Sequence, residues 1–190
     1  MTDTARATGL TRHIPNLLTG FRIAVIPLLI AAFYLPAPWS AWVPVVLFML
    51  ASATDWFDGV LARSWNAASK LGQFMDPIAD KLLVVAVILM LAVDGRIGGI
   101  HIVPAIAILC REMFVSGLRE FLAFRAVEVP VSGVAKWKTA TQMVALTVML
   151  LPFSEAALPG LVLFWVAAAL ALQTGWAYFS AAMPHLREND

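Results

Sequence analysis

Apolar stretches recur along the chain with polar residues gathered at their ends. They cover residues 21–35, 39–53, 82–93, 97–110, 144–151 extended upstream to 139, and 158–183. Several fall short of the ~20 residues a helix needs to cross a hydrocarbon core. Each reaches that length once its polar end is allowed to run past the hydrocarbon. No alternating pattern and no Asn-Gly hairpin signal competes with helix. The pattern therefore predicts an all-α, polytopic membrane protein with six transmembrane helices. Pro36 with Pro38, Gly98 with Gly99, and Pro159 with Gly160 are expected in three of the turns. Ahead of the first span, residues 11–20 mix Arg12, His13 and Asn16 with Ile14, Leu17 and Leu18. That mixture predicts a short N-terminal interfacial helix. A six-helix bundle over 21–183 follows it, and residues 1–190 are expected to form a single domain.

Composition agrees with lipid as the solvent. Apolar residues make up 61% and charged residues 13% of the chain, against about 45–50% and about 25% in soluble domains. A net charge of +1 gives no support to a nucleic-acid partner. Cys110 stands alone, which excludes an intrachain disulfide, and His13, His101 and His185 are too scattered for a zinc cluster. Twelve of the 13 lysines and arginines fall on one side of a six-span arrangement, and only Arg96 falls in an opposite turn. By the positive-inside rule, both termini and the polar connections face the cytoplasm. Trp39 and Trp42 suit an interfacial belt. The first apolar stretch resembles a secretory signal, but five further apolar segments and an unconvincing cleavage site favour a retained span.

The chemistry concentrates in Asp55-Trp-Phe-Asp58-Gly59-Val-Leu-Ala62-Arg63, continuing to Gly72-Gln-Phe-Met-Asp76-Pro-Ile-Ala-Asp80. At about 100° per residue, Asp55, Asp58, Gly59 and Ala62 share one helical stripe. Gly72, Asp76 and Asp80 share another at four-residue intervals, with Pro77 suited to an early helical turn. A connection near 64–69 turns the second helix back on the first, and the small residues let the backbones approach. Four aspartates at mid-bilayer would cost on the order of 10–14 kcal/mol if additive. Arg63, Lys70 and Lys81 can offset part of that charge, so a salt-bridged hairpin is one reading. Two divalent cations would neutralise the four carboxylates fully, and all-oxygen ligation favours Mg²⁺ or Mn²⁺ over zinc. Such a pair is suited to gripping a diphosphate.

This segment matches the signature of the CDP-alcohol phosphotransferase family, Asp-x2-Asp-Gly-x2-Ala-Arg-x8-Gly-x3-Asp-x3-Asp, at all eight fixed residues. Ile14-Pro-Asn16-Leu-Leu-Thr19 with Arg22, Arg111-Glu112, Leu118-Arg119-Glu120 and Lys136-Trp-Lys138-Thr-Ala-Thr-Gln142 also resemble the branch of that family that uses sn-glycerol 3-phosphate. The resemblance implies a phosphatidyltransferase of the bacterial inner membrane, homodimeric, with its active site facing the cytoplasm. It would transfer the phosphatidyl group from CDP-diacylglycerol to sn-glycerol 3-phosphate, releasing CMP and giving phosphatidylglycerophosphate. Asp55, Asp58 and Asp76 would be the principal ligands of two Mg²⁺ or Mn²⁺ ions. Asp80 would contribute to one of them and act as general base. Asn16, Thr19, Gly59, Ala62, Arg63, Ser69 and Gly72 match positions associated with the CDP-lipid. Glycine permits close approach of a nucleotide, and arginine offers fork-like donors.

The acceptor is a separate matter. Arg22, Arg111, Arg119, Lys136 and Lys138 form a basic group that suits a phosphate on the acceptor, although Glu112 and Glu120 offer them partners at helix ends. The same group would suit inositol phosphate, whereas phosphatidylglycerol, as in cardiolipin synthesis, or free serine would need it less. Outside enzymology, a divalent-cation carrier also places aspartates among membrane helices, but near mid-bilayer with a path to both faces. A structural or assembly protein of the membrane would need no eight-residue polar signature.

Overall fold

The computed structural model describes residues 14–65, 70–124 and 133–187, and the side chains of 14–18, 55–65, 70–74, 76, 185 and 187 lie outside that description. Among the described residues six α-helices follow one another: α1 (Ile14–Ala32), α2 (Trp39–Trp65), α3 (Lys70–Val93), α4 (Ile102–Phe124), α5 (Gly133–Leu150) and α6 (Ser154–Arg187), with a short 3-10 helix at Gly99–His101 leading into α4. Among the described residues there is no strand. The chain packs as two compact units, Met1–Met90 and Leu91–Asp190. In the first, α1 packs along α2; in the second, α4 and α5 both pack on α6. Buried positions recur at helical spacing, as in Val25, Leu29 and Ala32 on α1, or Phe164, Ala167, Ala171, Tyr178 and Ala182 on α6.

The distribution of polarity is that of a protein dissolved in lipid. Leu28, Met49, Leu89, Leu158 and Trp176 are exposed, while Arg22, Lys138, Gln142 and Thr174 are buried. Water would favour the reverse arrangement. Hydroxyls along the helices return to their own backbone, as Ser52 Oγ does to the Phe48 carbonyl at 2.7 Å and Thr147 Oγ1 to Met143 at 2.8 Å, which spares them an unsatisfied donor. Among the described residues, two stretches, Gly99–Phe124 and Ser154–Pro184, are long and apolar enough to cross a membrane, and Thr19–Ala32 and Trp39–Thr54 are shorter apolar helices.

Turns form where the sequence dictates. After α3 the chain leaves through a Schellman motif, with Gly95 at φ +78°, its N–H on the Ala92 carbonyl and Arg96 N–H on Leu91 at 2.9 Å. Arg96, which the charge pattern sets apart from the other basic residues, has a structural occupation. Its Nη1 donates to the carbonyls of Met149 and Leu150, both at 2.9 Å, and of Leu151 at 3.3 Å. Its Nε meets Asp94 at 2.7 Å. A cation on the orphan carbonyls at the end of α5 is the favourable placement.

The structure corrects two local expectations. Residues 14–20 form no separate interfacial helix; they are the first turns of α1, because Pro15 stands where helices tolerate proline and the helix runs on through Gly20 and Pro27. Residues 11–13 lie outside the described residues. Pro77 falls early in α3, where it denies the Gln73 carbonyl its donor. Pro159 and Gly160 lie within α6, not in the turn before it. Gly160 serves helix packing: a Cβ there would stand 2.6 Å from Met149 Cγ and 3.2 Å from its backbone nitrogen.

Candidate active site

The acidic motif occupies the end of α2 and the first half of α3, with the connection at 66–69 outside the described residues. Asp55, Asp58, Gly59, Ala62 and Arg63 lie on helical backbone in α2, and Gly72 and Asp76 in α3. Their registers place each set on one helix face, as the spacing predicts. The side chains of the first three aspartates and of Arg63 are outside the described residues, as is Asn16, and Ser69 falls there entirely. Immediately ahead of Asp55, the Thr54 hydroxyl is taken up by the carbonyls of Ala51 and Leu50 at 2.8 and 3.1 Å.

Asp80 is the fully described carboxylate of the motif. Its Oδ1 accepts from Arg22 Nη1 at 2.6 Å, tying α1 to α3. The two partners differ sharply: the Arg22 side chain is 0% exposed and that of Asp80 47%. A guanidinium stripped of water requires an anion beside it, and Asp80 supplies one while keeping an accessible side. Thr19, one turn earlier on α1, is also buried. Lys81 faces elsewhere, its Nζ donating to the Pro77 carbonyl at 3.1 Å. The sequence grouped Arg22 with the acceptor phosphate; the structure places it against Asp80. Among the described residues no group of three or more His, Cys, Asp or Glu converges on a metal position, a count that omits the first three aspartates of the motif.

The second unit brings together another set. Glu112 Oε1 accepts from Arg111 Nη1 at 2.9 Å and from Lys138 Nζ, so one carboxylate oxygen joins both cations across α4 and α5. Side-chain exposures are 9% for Arg111, 4% for Lys138 and 15% for Glu112. The three carry one net positive charge. Gln142, one turn beyond Lys138, is buried with Oε1 unpartnered, as is Arg111 Nε. Of the other basic residues singled out, Arg119 and Lys136 are exposed.

Comparison with known proteins places these features. The profile of the CDP-alcohol phosphatidyltransferase family matches residues 12–174. The chain belongs to that family. A CDP-diacylglycerol–glycerol-3-phosphate 3-phosphatidyltransferase of Rickettsia bellii is 46% identical over 174 residues, covering 89% of this chain and 94% of the relative. Proteins of the same name from Cereibacter sphaeroides and Escherichia coli K12 are 38% and 42% identical, each over 92% of this chain and 97% of the relative. The matched region contains the whole acidic motif together with the Arg111–Glu112–Lys138 cluster.

Within this CDP-alcohol phosphatidyltransferase, the pairing of Glu112 with the basic group was foreseen in outline, and Lys138 is its partner 26 positions on; the pairing of Arg22 with Asp80, 58 positions apart, was missed. One signal for a buried polar cluster was available, since Lys138 and Gln142 stand four apart on one face of α5. Gly175 of α6 gave none. A Cβ there would lie 3.1 Å from Arg111 Cγ, so the bare glycine seats the arginine stem.

Proposed function

We propose that this chain transfers the phosphatidyl group of CDP-diacylglycerol to sn-glycerol 3-phosphate, forming phosphatidylglycerophosphate and CMP. The identity to proteins named for that reaction, over about nine tenths of both chains, is the observation that carries the reading. The complete eight-residue motif inside the family match supports it. The donor set fits the family's metal: four carboxylates with no cysteine or imidazole among them are hard oxygen ligands suited to Mg²⁺ or Mn²⁺. Asp55, Asp58, Asp76 and Asp80 would hold two such ions, which when bound supply positive charge to the diphosphate.

The remaining work falls to the chain's own groups. The acceptor hydroxyl oxygen forms a bond to the lipid-linked phosphorus as the bond to the CMP oxygen breaks. Asp80 takes the hydroxyl proton, and Arg22 fixes that carboxylate in direction. Asn16, Thr19, Gly59, Ala62, Arg63, Ser69 and Gly72 hold the CDP portion of the donor. Arg111 and Lys138 take the acceptor's phosphate, with Arg119 and Lys136 as further cations. Positioning and charge stabilisation dominate a displacement of this kind. All six helices cross the bacterial inner membrane, with both termini and the site on the cytoplasmic side, in a homodimer. Residues 1–190 act as one catalytic domain.

The test is CMP release by purified protein given CDP-diacylglycerol and Mg²⁺, with sn-glycerol 3-phosphate, inositol phosphate, serine or phosphatidylglycerol as acceptor. Release dependent on sn-glycerol 3-phosphate is expected. Release with another acceptor alone would move the assignment, and release with none would remove the enzyme reading.

A further inference from the structure

The Arg111–Glu112–Lys138 cluster is built unlike a simple helix-end ion pair. Glu112 presents one oxygen to two cations that come from different helices. Both cations are more than nine-tenths buried, where like charges at such separation repel strongly unless an anion stands between them. The cluster is also left incomplete. Arg111 Nε has no acceptor and Gln142 Oε1 has no donor although both are buried, whereas a purely structural network is expected to satisfy its members. Arg111 is further held along its stem, since Gly175 leaves room that a single methyl would remove.

We infer that Glu112 is a positioning residue of the acceptor site, keeping Arg111 and Lys138 converged and ready for a phosphate monoester, with Gly175 fixing the stem of Arg111. The inference rests on the reading that Arg111 and Lys138 receive the acceptor's phosphate. Glu112 touches neither substrate nor reacting atoms. Its carboxylate holds the two donors in one place before the phosphate arrives and lowers the charge of the cluster to +1. Without it, the two cations separate and the phosphate must gather them at its own cost. Gly175 acts on the same arginine from α6, a helix to which the sequence assigned no part in the chemistry.

The experiment measures CMP release by the purified full-length protein with each substrate varied, for Glu112→Gln, Glu112→Asp, Gly175→Ala, Arg111→Ala and Lys138→Ala. Inhibition by inorganic phosphate serves as a second probe. Glu112→Gln is expected to raise the KM for sn-glycerol 3-phosphate about tenfold or more, with the KM for CDP-diacylglycerol unchanged and kcat within about threefold. Inhibition by phosphate should weaken in parallel, and Glu112→Asp should recover part of the loss. Gly175→Ala should produce the same selective rise on a smaller scale, and it carries the test if Glu112→Gln does not fold. A rise in acceptor KM for Arg111→Ala and Lys138→Ala but not for Glu112→Gln or Gly175→Ala would leave the phosphate site standing and overturn the positioning role. No rise for any of the five would overturn both. A fall in acceptor KM for Glu112→Gln would make Glu112 a competitor of the phosphate and refute the inference. So would loss of thermal stability and kcat with both KM values unchanged.

Discussion

Replacing Arg22 by glutamine removes the buried cation that holds Asp80 and tests what that pair does. The Nη1–Oδ1 separation is 2.6 Å, and charge centres about 4 Å apart attract by about 4 kcal/mol at an effective dielectric of about 20. With the Asp80 side chain 47% exposed, solvent screening lowers the effective coupling to about 1–2 kcal/mol. If that coupling is felt where the proton is taken, kcat falls about 5- to 30-fold. Arg22→Lys keeps the charge but loses the guanidinium fork, and should recover part of the rate. The assay is CMP release with each substrate varied in turn, alongside a thermal melt to show that each variant is folded. The KM for sn-glycerol 3-phosphate should move by less than about twofold, because the lost group acts on Asp80. An unchanged kcat with an acceptor KM raised about tenfold would refute this reasoning. It would return Arg22 to the phosphate group in which the sequence first placed it.

Three further outcomes are expected. Asp80→Asn should abolish turnover while the protein still binds CDP, measured by calorimetry; turnover near the wild-type rate would remove Asp80 as the base. Gly160→Ala should destabilise the second unit by about 1–3 kcal/mol through overpacking against Met149, seen as a lower melting temperature. Arg96→Gln should cost about 1 kcal/mol by uncapping α5, and both KM values should stay at their wild-type levels, since Arg96 meets only carbonyls and Asp94.

The six helices were legible because lipid imposes a simple rule on composition, and the turns at Pro36–Pro38 and Gly98–Gly99 were legible because few residues suit them. The charge asymmetry fixed an expectation of topology, and its one exception became intelligible through the contact of Arg96 with the end of α5. Helix lengths were less legible. α4 runs on to Phe124, well past the apolar stretch that ends at Cys110, since Arg111, Glu112 and Arg119 are good helix formers whatever their solvent. Gly160 was misread as a turn residue because nothing local separates a glycine that bends the chain from one that admits a neighbouring helix. In the candidate site, the stripes of aspartates followed from helical periodicity. The partner of Asp80 did not, because it comes from another helix and no periodicity within one helix encodes a contact between two. Arg22 shows this most clearly: its charge suits a phosphate, and only packing puts it beside a carboxylate.

Two divalent cations held by four aspartates are the core of the proposed chemistry, and manganese stoichiometry measures them directly. Purified protein in detergent with CDP should bind two Mn²⁺ per chain with the spin coupling of neighbouring ions, and Asp76→Asn should lose that coupling. Full turnover by protein that binds no Mn²⁺ or Mg²⁺, or Mn²⁺ binding unaltered by Asp76→Asn, would contradict it.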